Sequence, residues 1–466
     1  MKPLAFTLFI ITCLIALLWA PSCANIIPPA GGPRDTLPPV ILSVLPADST
    51  LNFNSDRIVI EFDEYVDLQD VQNNVLFTPT FERNPEIAVK GKTITVRFRD
   101  PLEENTTYTL SFGNSIRDIN ENNILPGYTY SFSTGPAMDS LEIAGRVILA
   151  QNGKIDSTLT IVLHRDLTDS AVIKKRPPYV TRMDARGNFR FRNLPKSEFA
   201  VYAIGNAGIA RRYQNKNQLF AFLDSPVVAG QADSLLLYAY REAEAAPPIP
   251  SVNLRSGSRD ANQRDRLIFA TNLNNNQQDL LKDLSLNFQT VIKTYDSSLV
   301  RLTIDSTFTD VDFSSALDST SKILSVSSAW IPGTQYHLIL GKEFATDTLG
   351  QQLLKTDTLS FTTRKAEDYG SLTVKVQNPV NFNNPVLQIV QNDKVIMSIP
   401  LVNGIFTSAR FIPGEYELRI LEDRNNNVQW DPGEFFNERK QPEIAKPASN
   451  TITVKANWAN EFNVSF

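Results

Sequence analysis

A two-residue hydrophobic period recurs along this chain and constrains its fold more than anything else in it. Ile58, Ile60 and Phe62 alternate with Arg57, Val59 and Glu61, and Ile94, Val96 and Phe98 alternate with Thr93, Thr95, Arg97 and Arg99. Tyr108, Leu110 and Phe112 follow, then Tyr128, Tyr130 and Phe132. Successive strand residues point to opposite faces, so this period buries one face and wets the other. Turn residues separate the runs, and no convincing amphipathic helix interrupts them. The expected fold is all-β, a tandem array of four antiparallel β-sandwich domains.

The chain has 466 residues, room for about three or four domains at roughly 100–200 residues each. Hydrophobic residues make up 42% and charged residues 20%, which suits a folded rather than a disordered chain. The net charge of -5 leaves no basic footprint, so nucleic acid is not expected as a partner.

The first residues carry a targeting signal. Lys2 precedes an apolar run from Leu4 to Trp19, broken only by Thr7, Thr12 and Cys13. The run is too short and too early for a spanning helix, so residues 1–22 read as a secretory signal peptide. The run ends Ala20, Pro21, Ser22, Cys23, which resembles the lipobox of bacterial lipoproteins. That resemblance implies cleavage before Cys23 and lipidation of it, with about 0.8 kcal/mol of membrane affinity per buried CH₂. Plain cleavage at a small-residue site, or an uncleaved anchor, is the alternative. Cys13 and Cys23 are the 2 cysteines, so no disulfide is expected in the mature chain. Residues 23–39 are punctuated by Pro and Gly and read as an extended spacer. No acidic run follows Cys23. In lipoproteins displayed outside the outer membrane of some Gram-negative lineages such a run is the export signal. The expected location is therefore the outer membrane of a Gram-negative bacterium, on its periplasmic face.

Residues 40–136, with Pro38 and Pro39 just ahead of Val40, carry Pro46-Ala47-Asp48, Ile60 through Val66, Pro101-Leu102 with Asn105-Thr106-Thr107-Tyr108, Ile116-Arg117-Asp118 and Tyr130 through Thr134. In that order they resemble the bacterial Ig-like domain family first described in an S-layer protein. The resemblance implies a spacer or adhesive module without chemistry of its own. Residues 141–241 change character. Ile143 through Val147, the run DARGNFRFRNLP over 184–195, and Phe199 through Ala203 resemble the transthyretin-like domain found beside carboxypeptidases. There the resemblance implies a folding or docking module. Residues 242–250 read as a linker. Both units then repeat. Tyr108, Leu110 and Gly113 match Tyr336, Leu338 and Gly341, which makes 251–364 a second, diverged Ig-like domain with indistinct early strands. Gly187, Leu194 and Phe199 match Gly404, Ile412 and Tyr416, which makes 370–466 a second transthyretin-like sandwich.

One constellation points to ligand chemistry. Asp423, Asn425, Asn427, Asp431 and Glu434 fall at positions 1, 3, 5, 9 and 12 of a twelve-residue stretch, and Gln429 offers its carbonyl at 7. That spacing suits a calcium loop, in which a hard cation takes six to eight oxygens. Val428 stands at position 6, where glycine ordinarily makes the sharp turn, and the residues ahead of the loop read as strand. A solvated Asx-rich turn is the alternative. Aligning Phe199 with Tyr416 places Asn206 opposite Asp423, Arg212 opposite Gln429 and Tyr213 opposite Trp430, so the same loop in the first copy is expected to be metal-free. Asp-Ser or Asp-Thr followed by a small or apolar residue, at Asp35, Asp48, Asp139, Asp156, Asp169, Asp233, Asp305, Asp318, Asp347 and Asp357, resembles an O-glycosylation sequon of some anaerobic gut lineages, and turn formation enriches the same pairs.

Catalytic motifs are missing from the sequence, and His164 and His337 read as strand residues. Asp63 and Glu64 are adjacent on a strand and face opposite ways, which makes them poor acid–base partners. The expected role is a non-catalytic envelope scaffold meeting a protein or glycan partner. An accessory subunit of an envelope export or nutrient-uptake complex is the alternative, and an enzyme with an unrecognised site comes third.

Overall fold

The computed structural model describes residues 34–208, 210–231, 234–242, 266–377 and 382–466. The signal peptide, Cys23, the spacer up to residue 33 and residues 243–250 of the linker lie outside the described residues. Strand accounts for 47% and helix for 3% of the chain, so every layer is a sheet. The chain divides into two compact units.

The first unit comprises Met1–Leu141 with Pro178–Val180 and Arg192–Pro195. Strands Ile41–Leu45, Arg57–Phe62, Thr93–Arg97 and Glu86–Lys90 form one sheet in that order, and Leu76–Thr78, Thr107–Gly113 and Tyr128–Ser133 form the other. Val66–Leu68 pairs with Ile116–Asp118. All these pairings are antiparallel. The alternating residues fill the core: Ile58, Ile60, Phe62, Ile94 and Val96 meet Tyr108, Leu110, Phe112, Tyr130 and Phe132. Side chains lock the corners. The Tyr108 hydroxyl accepts the Glu103 amide at 2.9 Å, and Thr134 Oγ1 donates to the Glu103 carbonyl at 2.7 Å. Burial pushes the Asp118 carboxyl up, but amides of Glu121, Asn123 and Asn122 outweigh it and hold it below the usual range.

The second unit comprises Glu142–Pro177, Thr181–Phe191 and Lys196–Phe466, and it holds three sandwiches, the first of them but for Leu141, Tyr179, Val180 and residues 192–194. In the first, Asn188–Leu194, Leu141–Leu149 and Leu235–Ala239 face Tyr179–Arg182, Leu159–His164, Glu198–Gly205 and Phe220–Phe222. The last sandwich has the same order. Ile405–Phe411, Gly370–Val376 and Ala459–Val464 face Lys394–Pro400, Pro385–Gln391, Gly414–Glu422 and Ala445–Pro447. In both, the first and last strands run parallel, Gly145 opposite Leu235 and Ser371 opposite Ala459, within otherwise antiparallel sheets. The ladders match as well. Phe199 lies opposite Val227 and Gly205 opposite Leu159, as Tyr416 lies opposite Ile452 and Glu422 opposite Pro385.

Between them lies a sandwich with the strand order of the first unit. Phe269–Thr271, Leu284–Phe288, Ile323–Ser328 and Phe313–Leu317 make one sheet, and Val300–Ile304, Gln335–Leu340 and Asp357–Thr363 lie at the centre of the other. Its corners repeat those above. The Tyr336 hydroxyl accepts the Ile331 amide at 3.0 Å, and Asp347, fully buried, accepts the amides of Leu349 and Gln351. Phe269–Thr271 and Phe313–Leu317 are edge strands without a fully buried residue, which is why their sequence shows no clear period.

His164 ends a central strand at 1% exposure, edge-on to the Tyr202 ring at 5.9 Å. Its Nε2 has no hydrogen-bond partner among the described residues. Burial lowers its pKa from 6.5 to about 4, Lys175 adding to the effect and Asp166 opposing it. The unfolded chain therefore takes up this proton first as pH falls. Stability should drop between pH 6.5 and 4 by up to about 3 kcal/mol. In urea denaturation at stepped pH, His164→Leu should lack that component of the slope. Parallel slopes in the two proteins would show that His164 is already solvated.

Candidate cation loop

Strand Gly414–Glu422 ends where Asp423 turns the chain out of the sheet. Asx turns then follow one another. Asp423 Oδ1 accepts the Asn425 amide at 3.2 Å, Asn425 Oδ1 the Asn427 amide at 3.1 Å, and Asn427 Oδ1 the Gln429 amide at 2.8 Å. Asp423 Oδ2 accepts the Val428 amide at 2.8 Å. Val428 itself has φ +63, so the loop makes the sharp left-handed turn of position 6 with a β-branched residue. Its side chain packs with Trp430 on Val386, Leu421 and Ala445, contacts that offset part of the strain.

Asn425 and Asn427 converge on one oxygen, donating from Nδ2 to Asp431 Oδ2 at 2.5 and 3.0 Å. The structure thus draws positions 1, 3, 5 and 9 into one bonded loop. Glu434 points elsewhere: its Oε1 accepts from Asn437, and its backbone pairs with Lys440 in both directions at 2.8 and 2.7 Å. Among the described residues no three His, Cys, Asp or Glu side chains converge as a ligand set. Of the six residues spaced for a cation, the loop's side-chain hydrogen bonds tie together Asp423, Asn425, Asn427 and Asp431.

Glu443 is a member of this site that sequence spacing did not reveal. It is 1% exposed, as is Asp423. Its Oε1 accepts the Arg424 amide at 2.7 Å and its Oε2 the Asp431 amide at 3.0 Å. The Trp430 indole donates to its carbonyl at 2.7 Å. Glu443 lies outside the twelve-residue window, so the spacing of the loop carries no signal for it.

The other polar candidates have structural partners. The His337 ring bonds Ser360 through Nδ1 at 2.8 Å and lies against Phe308. Asp63 Oδ1 accepts the Val40 amide, and burial, helped by Asp118, raises the Glu64 carboxyl. At the Asp-Ser and Asp-Thr pairs of the sequon-like pattern the hydroxyl residue is exposed in every case. Asp35, Asp156, Asp305 and Asp347 use the carboxylate to accept the amide two residues on, so these pairs build turns.

Residues 35–134 match the bacterial Ig-like domain family. No curated protein matches the chain. Among solved structures, the Bacillus anthracis TIE protein is 10% identical at a TM-score of 0.17, covering 93% of this chain and 75% of its own. BcpA, the major pilin subunit of Bacillus cereus, is 10% identical at 0.16, covering 70% and 99%. The N-terminal part of the bacterial S-layer protein SbsC is 16% identical at 0.16, covering 36% and 40%. At such TM-scores these likenesses carry no argument.

At φ +63 a glycine avoids a steric penalty that alanine incurs. Val428→Gly should therefore be more stable than Val428→Ala, by about 1 kcal/mol, reversing the usual order of these residues. Chemical denaturation of the two variants side by side decides it, and alanine ranking above glycine would mean the loop does not turn this way in solution.

Proposed function

We propose that this chain is a non-catalytic scaffold of the cell envelope. A lipid on Cys23 holds it to the outer membrane of a Gram-negative bacterium, on the periplasmic face, and its sandwiches present surfaces to a protein or glycan partner. One observation carries this reading: the sandwich matched to the bacterial Ig-like family is repeated in strand order by residues 266–364. Repetition of a stable module is how a chain gains reach and surface. Strand Lys394–Pro400 adds support, because it is a sheet edge that exposes Val395, Ile396 and Met397. Natural edges are ordinarily blunted by charge, and apolar residues left there mark surfaces that meet something. An accessory role in an envelope complex uses the same surfaces.

The tether has a direct test. Cys23→Ala should move the protein from the membrane fraction to the soluble fraction, and a variant that stays with the membrane would remove the lipid anchor from this reading.

The loop supports a second element of the proposal, a calcium site. Asp423, Asn425, Asn427, Asp431 and the Gln429 carbonyl are the oxygens that would hold the ion, and Glu434 stands outside them. With two carboxylates the expected affinity is that of extracellular modules, about 10⁻⁴–10⁻³ M. Titrating calcium into the full chain in a calorimeter should give heat that Asp423→Ala abolishes. Equal heat from both proteins would place the ion elsewhere.

A further inference from the structure

The segment that follows the loop leaves its own sandwich. Glu434 and Lys440 pair through their backbones and close a hairpin whose tip spans Phe435 to Arg439. Phe435 is fully buried, and its neighbours belong to the sandwich of residues 142–242: Phe222 at 4.9 Å, Phe220 at 5.1 Å and Tyr202 at 5.6 Å between ring centres. Phe436 lies on Tyr213. The Arg439 guanidinium stands over Phe222 and Phe435, pairs with Asp169 and donates to the Leu223 carbonyl at 3.0 Å. Gln441 reaches the Phe222 carbonyl and Asp224, and the Ala445 amide donates to the Ala150 carbonyl at 2.8 Å. Gly433 sits against Tyr240, where a Cβ would stand 2.6 Å from the ring. These contacts join two sandwiches that a third separates in sequence, and all lie within the second unit.

The hairpin and the loop share their base. Asp431 is held on one side by Asn425 and Asn427 and on the other by Glu443, whose amide also returns to the Asp431 carbonyl at 3.0 Å. Arg424 inside the loop donates to Glu443 and, through its side chain, to the Gln441 carbonyl at 3.2 Å. Neither half can be ordered without fixing residues of the other. The interface is also incompletely filled. A cleft of about 360 Å³ lined by Leu149, Tyr240, Arg241 and Trp430 remains beside it. A contact made of the inserted hairpin, the Ala445–Ala150 backbone bond and the exposed ion pairs of Lys154 with Asp393 and Glu417, with an open cleft beside them, resembles a separable interface more than a continuous core.

We propose that residues 434–443 are a latch between the two sandwiches, and that calcium in the adjoining loop closes it. This rests on the calcium reading above. The ion orders Asp423 to Asp431, so docking of the hairpin no longer bears the cost of ordering its base. Linkage requires the converse: contacts made by the hairpin on the other sandwich must raise calcium affinity by the same factor.

Asp169 gives the test, because it touches Arg439 and lies far from the loop in sequence. Calcium binding is measured by calorimetry on the full chain, and docking by hydrogen exchange at the Ala445 amide. Calcium should slow that exchange, and Asp169→Asn and Arg439→Ala should each weaken calcium binding by about fivefold or more while leaving the strands protected. Calcium heat in the wild type with unchanged Ala445 exchange, and full affinity in Asp169→Asn, would overturn the latch and leave the calcium site standing. An absence of calcium heat in the wild type would overturn both.

Discussion

Carboxylates taken out of water and handed to backbone amides fix the corners on which these sandwiches turn. Asp118, Asp347, Asp423 and Glu443 are all almost wholly buried, and each accepts two or more amides at a chain reversal. An ion left unpaired in such a place costs several kcal/mol, whereas charge-assisted bonds to amides are about twice as strong as neutral ones. The corner therefore either forms with its bonds in place or does not form. Tyr108 and Tyr336, on the strands that precede those of Asp118 and Asp347, accept backbone amides through their hydroxyls, and in the last sandwich Tyr416, on the strand that leads to Asp423, donates to the Ile412 carbonyl at 2.8 Å. With cysteines only at 13 and 23, the described sandwiches rely on such contacts rather than on disulfides.

What the sequence makes legible follows from where burial is one-sided. Strands such as Arg57–Phe62 bury alternate residues, so their period can be read directly. Central strands such as Leu159–His164 are buried on both faces and edge strands such as Phe313–Leu317 on neither fully, and in both cases the period fades. The parallel pairing of first and last strands is equally hidden, since a parallel partner leaves no local mark when the strands lie so far apart. The same limit explains the candidate site. Asx spacing is a local property, so Asp423 to Asp431 could be read as one loop. Glu443 and Phe435 act through space on partners that spacing does not reveal. The adjacent pair Phe435 and Phe436, alone in a polar stretch, was the one trace of the hairpin's destination.

The internal repeat sharpens the meaning of that destination. The ladder registers align Phe199 with Tyr416, so the loop after Gly205 corresponds to the loop after Glu422. In the second copy that loop carries the Asx turns and extends into the hairpin. In the first copy Asn206 stands where Asp423 does and no carboxylate follows it; Gln218 closes the turn instead, donating to the Gly205 carbonyl at 2.7 Å. Yet the first copy's loop is not inert. Its Tyr213, opposite Trp430 in the alignment, receives Phe436, and its Lys216 pairs with Glu242, whose carboxylate accepts the Phe435 amide at 3.3 Å. One loop of the repeated unit has become the inserted hairpin and its counterpart part of the receiving surface. A symmetric pair of loops would meet as equals, each half-inserted. Divergence lets one side carry the rings and the guanidinium and the other the cradle, so the contact has a direction and each surface fits the other better than itself.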